Sequence, residues 1–120
     1  MYHTEQILEF TASGSPQLVS RAIEQYAKSQ GSLNATVVPW ESDAVTLSMA
    51  VTSAKGHSWN VEHTDLGTIQ LTDLGNSLTR VAISAHEPDH TDKQKLAALF
   101  DGFAKQIQSK LKVADDRGSS

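Results

Sequence analysis

The segment Gly-His-Ser-Trp-Asn-Val-Glu-His, residues 56–63, holds the densest group of side chains that could do chemistry in this sequence. It contains His57, Trp59, Glu62 and His63. Such a group is compatible with three kinds of site: a metal site, a catalytic acid–base pair, or the wall of a binding pocket. The backbone that carries the segment decides which of them is feasible.

If the segment is one extended strand, its two histidines cannot share a metal ion. His57 and His63 are separated by six positions, which is about 20 Å at the rise of a β-strand. Metal ligands converge on one ion at distances near ~2 Å, and Glu62 would point to the opposite face of such a strand. We therefore expect no metal site, and we expect no cofactor.

A nucleophilic triad of Ser84, His86 and Asp89 can also be considered. On a strand, alternation places His86 on the polar face with Ser84 and Arg80, but neighbouring positions on one face do not by themselves make a triad, which is defined by geometry. Ser84 and His86 would need a turn between them to meet. The polar end of an exposed strand is the favoured interpretation.

The pocket interpretation depends on the face that Trp59 occupies. If Val61 faces the covered side of a sheet, Trp59 faces it as well. The predicted apolar partners and polar tips around such a pocket are Met49, Phe100, Phe103, Tyr26 and His63. Ligand pockets are mostly apolar with a few placed polar groups. A closed core made by the same residues is the equally weighted alternative.

Composition limits the classes of function. The chain has 120 residues, no cysteine and a formal net charge of −4. This size fits a single domain, which we assign to residues 1–113, followed by a polar tail at 114–120. The lysines are scattered, so nucleic-acid binding is not expected. A cytoplasmic location is expected, because cysteine is absent and no signal peptide or membrane span is recognisable.

The periodicity of apolar residues predicts an α+β fold. Ser15 as N-cap, Pro16 at the first helical position and Gly31 as stop signal predict a helix over residues 16–30. Before it, alternation predicts a strand over 4–10 with Gln6, Leu8 and Phe10 on one face. From residue 33 to 87 alternation predicts four or five antiparallel strands with one apolar face, including a hairpin turn at Asp-Leu-Gly-Asn-Ser. A long amphipathic helix over 91–112 then covers that face.

This order of elements resembles the helix-grip fold of the START/Bet v 1-like (SRPBCC, polyketide cyclase-like) superfamily. The stretches FTASGSPQLVSRAI and GTIQLTDLGNSLTRVAI carry the resemblance, together with the long last helix. The resemblance implies a curved antiparallel sheet of about five to six strands gripped by the C-terminal helix, with one helix after strand 1. The chain is shorter than most members and has one N-terminal helix where many have two.

The resemblance also implies a function. It predicts a module that binds a small apolar or aromatic ligand between the sheet and the C-terminal helix. A cyclase- or dehydratase-like enzyme with His63 as its acid–base group is one alternative, since histidine titrates near neutral pH. A His63→Ala variant would distinguish the two, because it would abolish turnover but leave binding. A ligand-free homodimeric interaction protein that pairs through its sheet is the other alternative.

Overall fold

The computed structural model describes residues 4–31, 33–43, 45–57, 60–86 and 93–111; within these ranges, residues 4, 5, 41, 54–57, 60–63 and 93 are described by their backbone alone. The elements follow one another as β1 (Thr4–Ser13), α1 (Pro16–Ser29), β2 (Leu33–Val37), a short 3₁₀ helix (Pro39–Glu41), β3 (Thr46–His57), β4 (Asn60–Gly75), β5 (Leu78–His86) and α2 (Lys93–Leu111). All strand pairs are antiparallel and form one five-stranded sheet in the order β1-β5-β4-β3-β2. The predicted α+β, helix-grip-like layout is confirmed.

The predicted signals at the ends of α1 are present in the structure. The Ser15 hydroxyl accepts a hydrogen bond from the Leu18 N–H at 3.3 Å, and Pro16 occupies the first turn. Gly31 follows the helix with φ of +81°, a left-handed conformation that glycine adopts without a steric penalty. The helix therefore begins and ends where its capping residues direct it.

One face of the sheet is covered by both helices. Helix α1 packs against β2, β3, β4 and β5, and α2 packs against β1, β4, β5 and α1. The alternation predicted for β3 is correct for Met49 and Val51, which are both fully buried. Among the described side chains, the core consists of Phe10, Ala12, Val19, Ile23, Ala27, Leu33, Ala35, Met49, Val51, Leu66, Ile69, Leu71, Val81, Ile83, Phe100, Phe103, Ala104 and Ile107.

The predicted hairpin at Asp-Leu-Gly-Asn-Ser is correct. Strand β4 ends at Gly75 and β5 begins at Leu78, and Asn76 and Ser77 both have positive φ, of 57° and 61°. Two residues with positive φ form the type I′ turn whose twist matches that of antiparallel strands. The turn sets the pair Gly75–Leu78, and a register shift between Asp73 and Gly75 then places Asp73 opposite Thr79 for the rest of the ladder.

Two sequence predictions about strands are wrong. The register of β1 against β5 shifts between Gln6 and Leu8, so Gln6 pairs with Ser84 whereas Leu8 pairs with Ile83. Gln6 is therefore exposed, away from the core face that Phe10 occupies. The second error concerns residues 57–63, which do not form one straight strand, because β3 ends at His57 and β4 begins at Asn60.

Candidate functional site

Strands β3 and β4 form a hairpin that is longer than its neighbours. Strand β2 pairs with β3 only as far as Ser53, and β5 pairs with β4 only from Gly67 onward. Beyond these points, residues 54–57 and 60–63 pair with each other and with no other strand in the described part of the chain. We call these two stretches the arm, and the end of the sheet from which they extend the arm end.

His57 and His63 both belong to this arm, His57 at its tip and His63 at its base. His57 pairs with Asn60 and His63 with Ala54. The two histidines are therefore three register steps apart along the hairpin, about 10 Å at the rise of a β-strand. The 20 Å separation inferred for a straight strand is wrong, because the chain reverses between His57 and Asn60. Their side chains and all of Trp59 lie outside the described residues.

The other predicted site residues lie close together. Met49, Phe100 and Phe103 belong to one buried cluster, with exposed fractions of 0%, 1% and 4%. Tyr26 is partly buried and packs against the same cluster. The structure thus brings four of the six predicted binding residues together between the sheet and the two helices, as core or as pocket wall.

Tyr26 joins the two helices. Its ring stacks on that of Phe103, with centroids 5.5 Å apart and an interplanar angle of 10°. The Nζ of Lys110 lies 5.2 Å from the centroid of the Tyr26 ring, within the range of a cation–π interaction. Tyr26 therefore fixes where α1 and α2 meet, at the edge of the apolar cluster.

Phe100 rests directly on the backbone of β4. A Cβ atom at Gly67 would lie 2.7 Å from Cζ and 2.8 Å from Cε2 of Phe100. Only a glycine permits this approach, and the strand has an irregularity beside it: the register shifts between Val51 and Thr52, leaving Leu66 unpaired in a β-bulge. Gly67 and Phe100 thus set the height of α2 above the arm end of the sheet.

Apolar side chains in the first two turns of α2 are only partly buried. Phe100, Phe103 and Ile107 are buried, whereas Leu96 and Leu99 in the first two turns stay half-buried while packing on the core. These two leucines lie within about one helical turn of Phe100, and therefore near the arm end. The apolar stripe of α2 is buried in its middle and partly exposed at both ends, at Leu96 and Leu99 near the arm end and at Leu111 where the helix ends.

Two hydroxyl side chains occupy the covered face at the arm end. Ser53 pairs with Leu33 on one side and with Thr64 on the other, so these three residues share a face. Ser53 is 7% exposed and Thr64 is partly buried. The Ser53 and Thr64 hydroxyls therefore interrupt the apolar surface on the covered face of the sheet.

The uncovered face of the sheet carries a histidine–carboxylate hydrogen bond that the sequence did not reveal. Nδ1 of His86 lies 2.8 Å from Oδ2 of Asp65. Asp89, the carboxylate of the triad considered from the sequence, lies outside the described residues, and Asp65 is one partner of His86 that the sequence did not predict. The bulge at Leu66 decides which face Asp65 occupies, and the only signal for it in the sequence is the glycine that follows.

The exposed large apolar side chains lie at the opposite end of the sheet. These residues are Leu18, Trp40, Val45 and Leu74. Leu74 precedes the β4–β5 turn, and the carbonyl of Val45 accepts from the Asp73 N–H at 2.9 Å, beside that turn. Leu18 follows Gly14, whose N–H donates to the carbonyl of Ser77. These side chains are thus remote from Leu96 and Leu99.

Among the residues that the structure describes, no group of three or more His, Asp or Glu side chains is arranged to hold a metal ion. None of the described helices is both long and apolar enough to cross a membrane.

Comparison with known proteins assigns no family to this chain. No family model matches the sequence, and neither a curated protein nor a solved structure matches it significantly. The likeness to the START/Bet v 1-like superfamily therefore rests on the order of elements and on the stretches that carry it.

Proposed function

We propose that this protein binds a small apolar or aromatic molecule between the arm end of the sheet and the first turns of α2. The observation that carries the proposal is the partial exposure of Leu96 and Leu99, on the same helical stripe whose middle residues, Phe100, Phe103 and Ile107, are buried. Apolar surface that is left open beside a core favours an apolar occupant, because covering it removes that surface from water.

The described residues would contact the ligand from different sides. Leu96 and Leu99 would contact the ligand from α2, while Met49 and Phe100, which are buried, form the floor beneath it. Tyr26, held against Phe103, borders the site and offers its hydroxyl. His63, which the sequence predicts as a hydrogen-bonding group, belongs to the arm at the same end, whereas Trp59, the predicted wall, lies outside the described residues. A cytoplasmic location, favoured by the cysteine-free composition, is part of this proposal.

Native mass spectrometry of the purified protein, repeated after denaturation, tests whether a ligand is retained. A mass increment that disappears on denaturation supports the proposal and gives the size of the ligand. A bare mass, together with no uptake of 2-naphthol in equilibrium dialysis, would contradict it. Dialysis is needed beside the mass measurement because a weakly held ligand is lost during purification.

A homodimer is a second candidate, favoured by the edge of β1. This strand is ten residues long and pairs with β5 on one side, and none of the described strands pairs with its other side. Unpaired backbone groups along a long edge are a template for pairing with a second copy. Light scattering after size exclusion, over a range of protein concentrations, would show a dimer mass if this candidate is correct and a monomer mass if it is not.

A further inference from the structure

We infer that Ser53 is the polar anchor of this binding site and that the ligand carries a neutral oxygen, as an alcohol, phenol or ketone does. The inference rests on the proposed function and adds the chemical class of the ligand. It starts from a hydroxyl that is buried on the covered face, 7% exposed, with no hydrogen bond to its side chain in the described part of the chain. Buried hydroxyls are normally paired, so one without a partner calls for an explanation.

The neighbours of Ser53 show what kind of group fits there. Thr64 is directly opposite on β4, so the two Cβ atoms are about 5 Å apart and both hydroxyls border the same space. By contrast, the hydroxyls of Thr46 and Thr72, another opposite pair, lie 3.4 Å from each other. Ser53 and Thr64 make no such contact, which leaves both hydroxyls for a third oxygen placed between them.

The charge of the ligand follows from the side chains around this pair. The described side chains on the covered face of the sheet are apolar apart from the hydroxyls of Ser53, Thr64 and Thr79 and the exposed carboxylate of Asp73 beside the β4–β5 turn. The Thr79 hydroxyl already donates to the carbonyl of Gly14 at 2.7 Å. None of the described side chains on this face of the sheet is cationic, so an anionic group buried against Ser53 would be disfavoured, whereas a neutral oxygen is satisfied by hydroxyl groups.

The chain supplies a matched control for Ser53. Ser48 lies on the same strand and is 2% exposed, but the odd spacing of five residues and its pairing with Gln70 place it on the other face of the sheet. The Ser48 hydroxyl likewise has no hydrogen bond in the described part of the chain, so Ser53→Ala and Ser48→Ala each remove a buried, unpaired hydroxyl, and they differ in the face of the sheet on which it lies. Only the first variant changes the proposed site.

The test measures binding of three probes by equilibrium dialysis: naphthalene, 2-naphthol and 2-naphthoate. We expect the native protein to bind 2-naphthol about three- to tenfold more tightly than naphthalene, the ratio that one net hydrogen bond gives, and to bind 2-naphthoate more weakly than 2-naphthol. Ser53→Ala should bind 2-naphthol no better than naphthalene, with naphthalene affinity unchanged. Ser48→Ala should behave as the native protein.

The outcomes separate this inference from the proposed function. Equal affinity of the native protein for naphthalene and 2-naphthol, or a preference for 2-naphthol that survives in Ser53→Ala, overturns the role of Ser53 and leaves apolar binding intact. Tighter binding of 2-naphthoate than of 2-naphthol overturns the inference that the oxygen of the ligand is neutral. If the native protein takes up none of the three probes, the proposed function fails and the inference fails with it.

Discussion

A single methyl group added at Gly67 tests the packing that positions α2. The Cβ of alanine would overlap the carbonyl oxygen of Ser84 and would lie 2.7 Å from Cζ of Phe100. Phe100 can move with its helix, but the Ser84 carbonyl belongs to the β4–β5 ladder, where Thr68 and Ser84 pair. The overlap with backbone cannot be relieved by a change of rotamer, so the strand itself must shift.

The expected cost lies at the upper end of the range for overpacked cores, at about 3 kcal/mol. A chain of 120 residues loses about 4 °C in Tm for each kcal/mol, from an unfolding entropy of roughly 2 cal/mol/K per residue. Gly67→Ala should therefore lower Tm by about 12 °C, as measured by circular dichroism or calorimetry. The displacement of α2 should also weaken binding of 2-naphthol.

Gly102→Ala is the matched control for this experiment. Gly102 is exposed in the middle of α2, and a Cβ there meets nothing within 4 Å. Alanine is a better helix former than glycine, so this variant should gain about 0.5–1 kcal/mol in stability. The packing argument would be refuted if Gly67→Ala melted within a degree or two of the native protein while the control behaved as expected.

Three further substitutions test local features of the fold. The Ser42 hydroxyl donates to the Val38 carbonyl at 2.8 Å and accepts from the Ser48 N–H at 3.0 Å. Ser42→Ala should lower the free energy of unfolding in urea by about 1–3 kcal/mol, because both backbone groups would lose this partner. An unchanged urea midpoint would contradict this. Tyr26→Leu should lower the free energy of unfolding by about 1 kcal/mol through the lost ring stack, whereas Tyr26→Phe should keep the stability of the native protein; equal stability of the two variants would argue against the stack. Hydrogen bonds from the N–H groups of Thr46 and Val45 lower the pKa of the Asp43 carboxyl below its usual value of 3.8. The ionised carboxylate therefore stabilises the folded state at neutral pH. This stabilisation is lost as the pH falls through the pKa that Asp43 has in the folded protein. Asp43→Asn should accordingly be less stable than the native protein at pH 7, with a difference that shrinks in acid, and a difference independent of pH would contradict the assignment.

Local signals in the sequence were sufficient for most of the fold. Ser15, Pro16 and Gly31 fixed the ends of α1 because capping is decided by residues adjacent in sequence. The turn at Asn76 and Ser77 was predictable for the same reason, since it follows a glycine and connects two alternating strands. The buried faces of β3 and β5 followed directly from period-two alternation.

The errors occurred where a strand departs from regular alternation. The chain reverses between His57 and Asn60 with no glycine or proline between them, so the sequence pattern predicts one continuous strand there. A register shift moved Gln6 to the face opposite Leu8, and the bulge at Leu66 brought Asp65 to His86. Bulges depend on partner strands that are distant in sequence, which is why alternation within one strand did not reveal them.

The location of the binding site can be tested most directly by a nuclear magnetic resonance titration of methyl-labelled leucine with 2-naphthol. The aromatic probe should shift the methyl signals of Leu96 and Leu99 with saturation, because these side chains are the partly exposed part of the α2 stripe near the arm end. Leu18 and Leu74 serve as internal controls, since they are exposed at the opposite end of the sheet and should not move. Saturable shifts confined to Leu96 and Leu99 are the predicted result. Shifts confined to Leu18 and Leu74, or no saturable shift of any leucine, would contradict a ligand site between the arm end and α2.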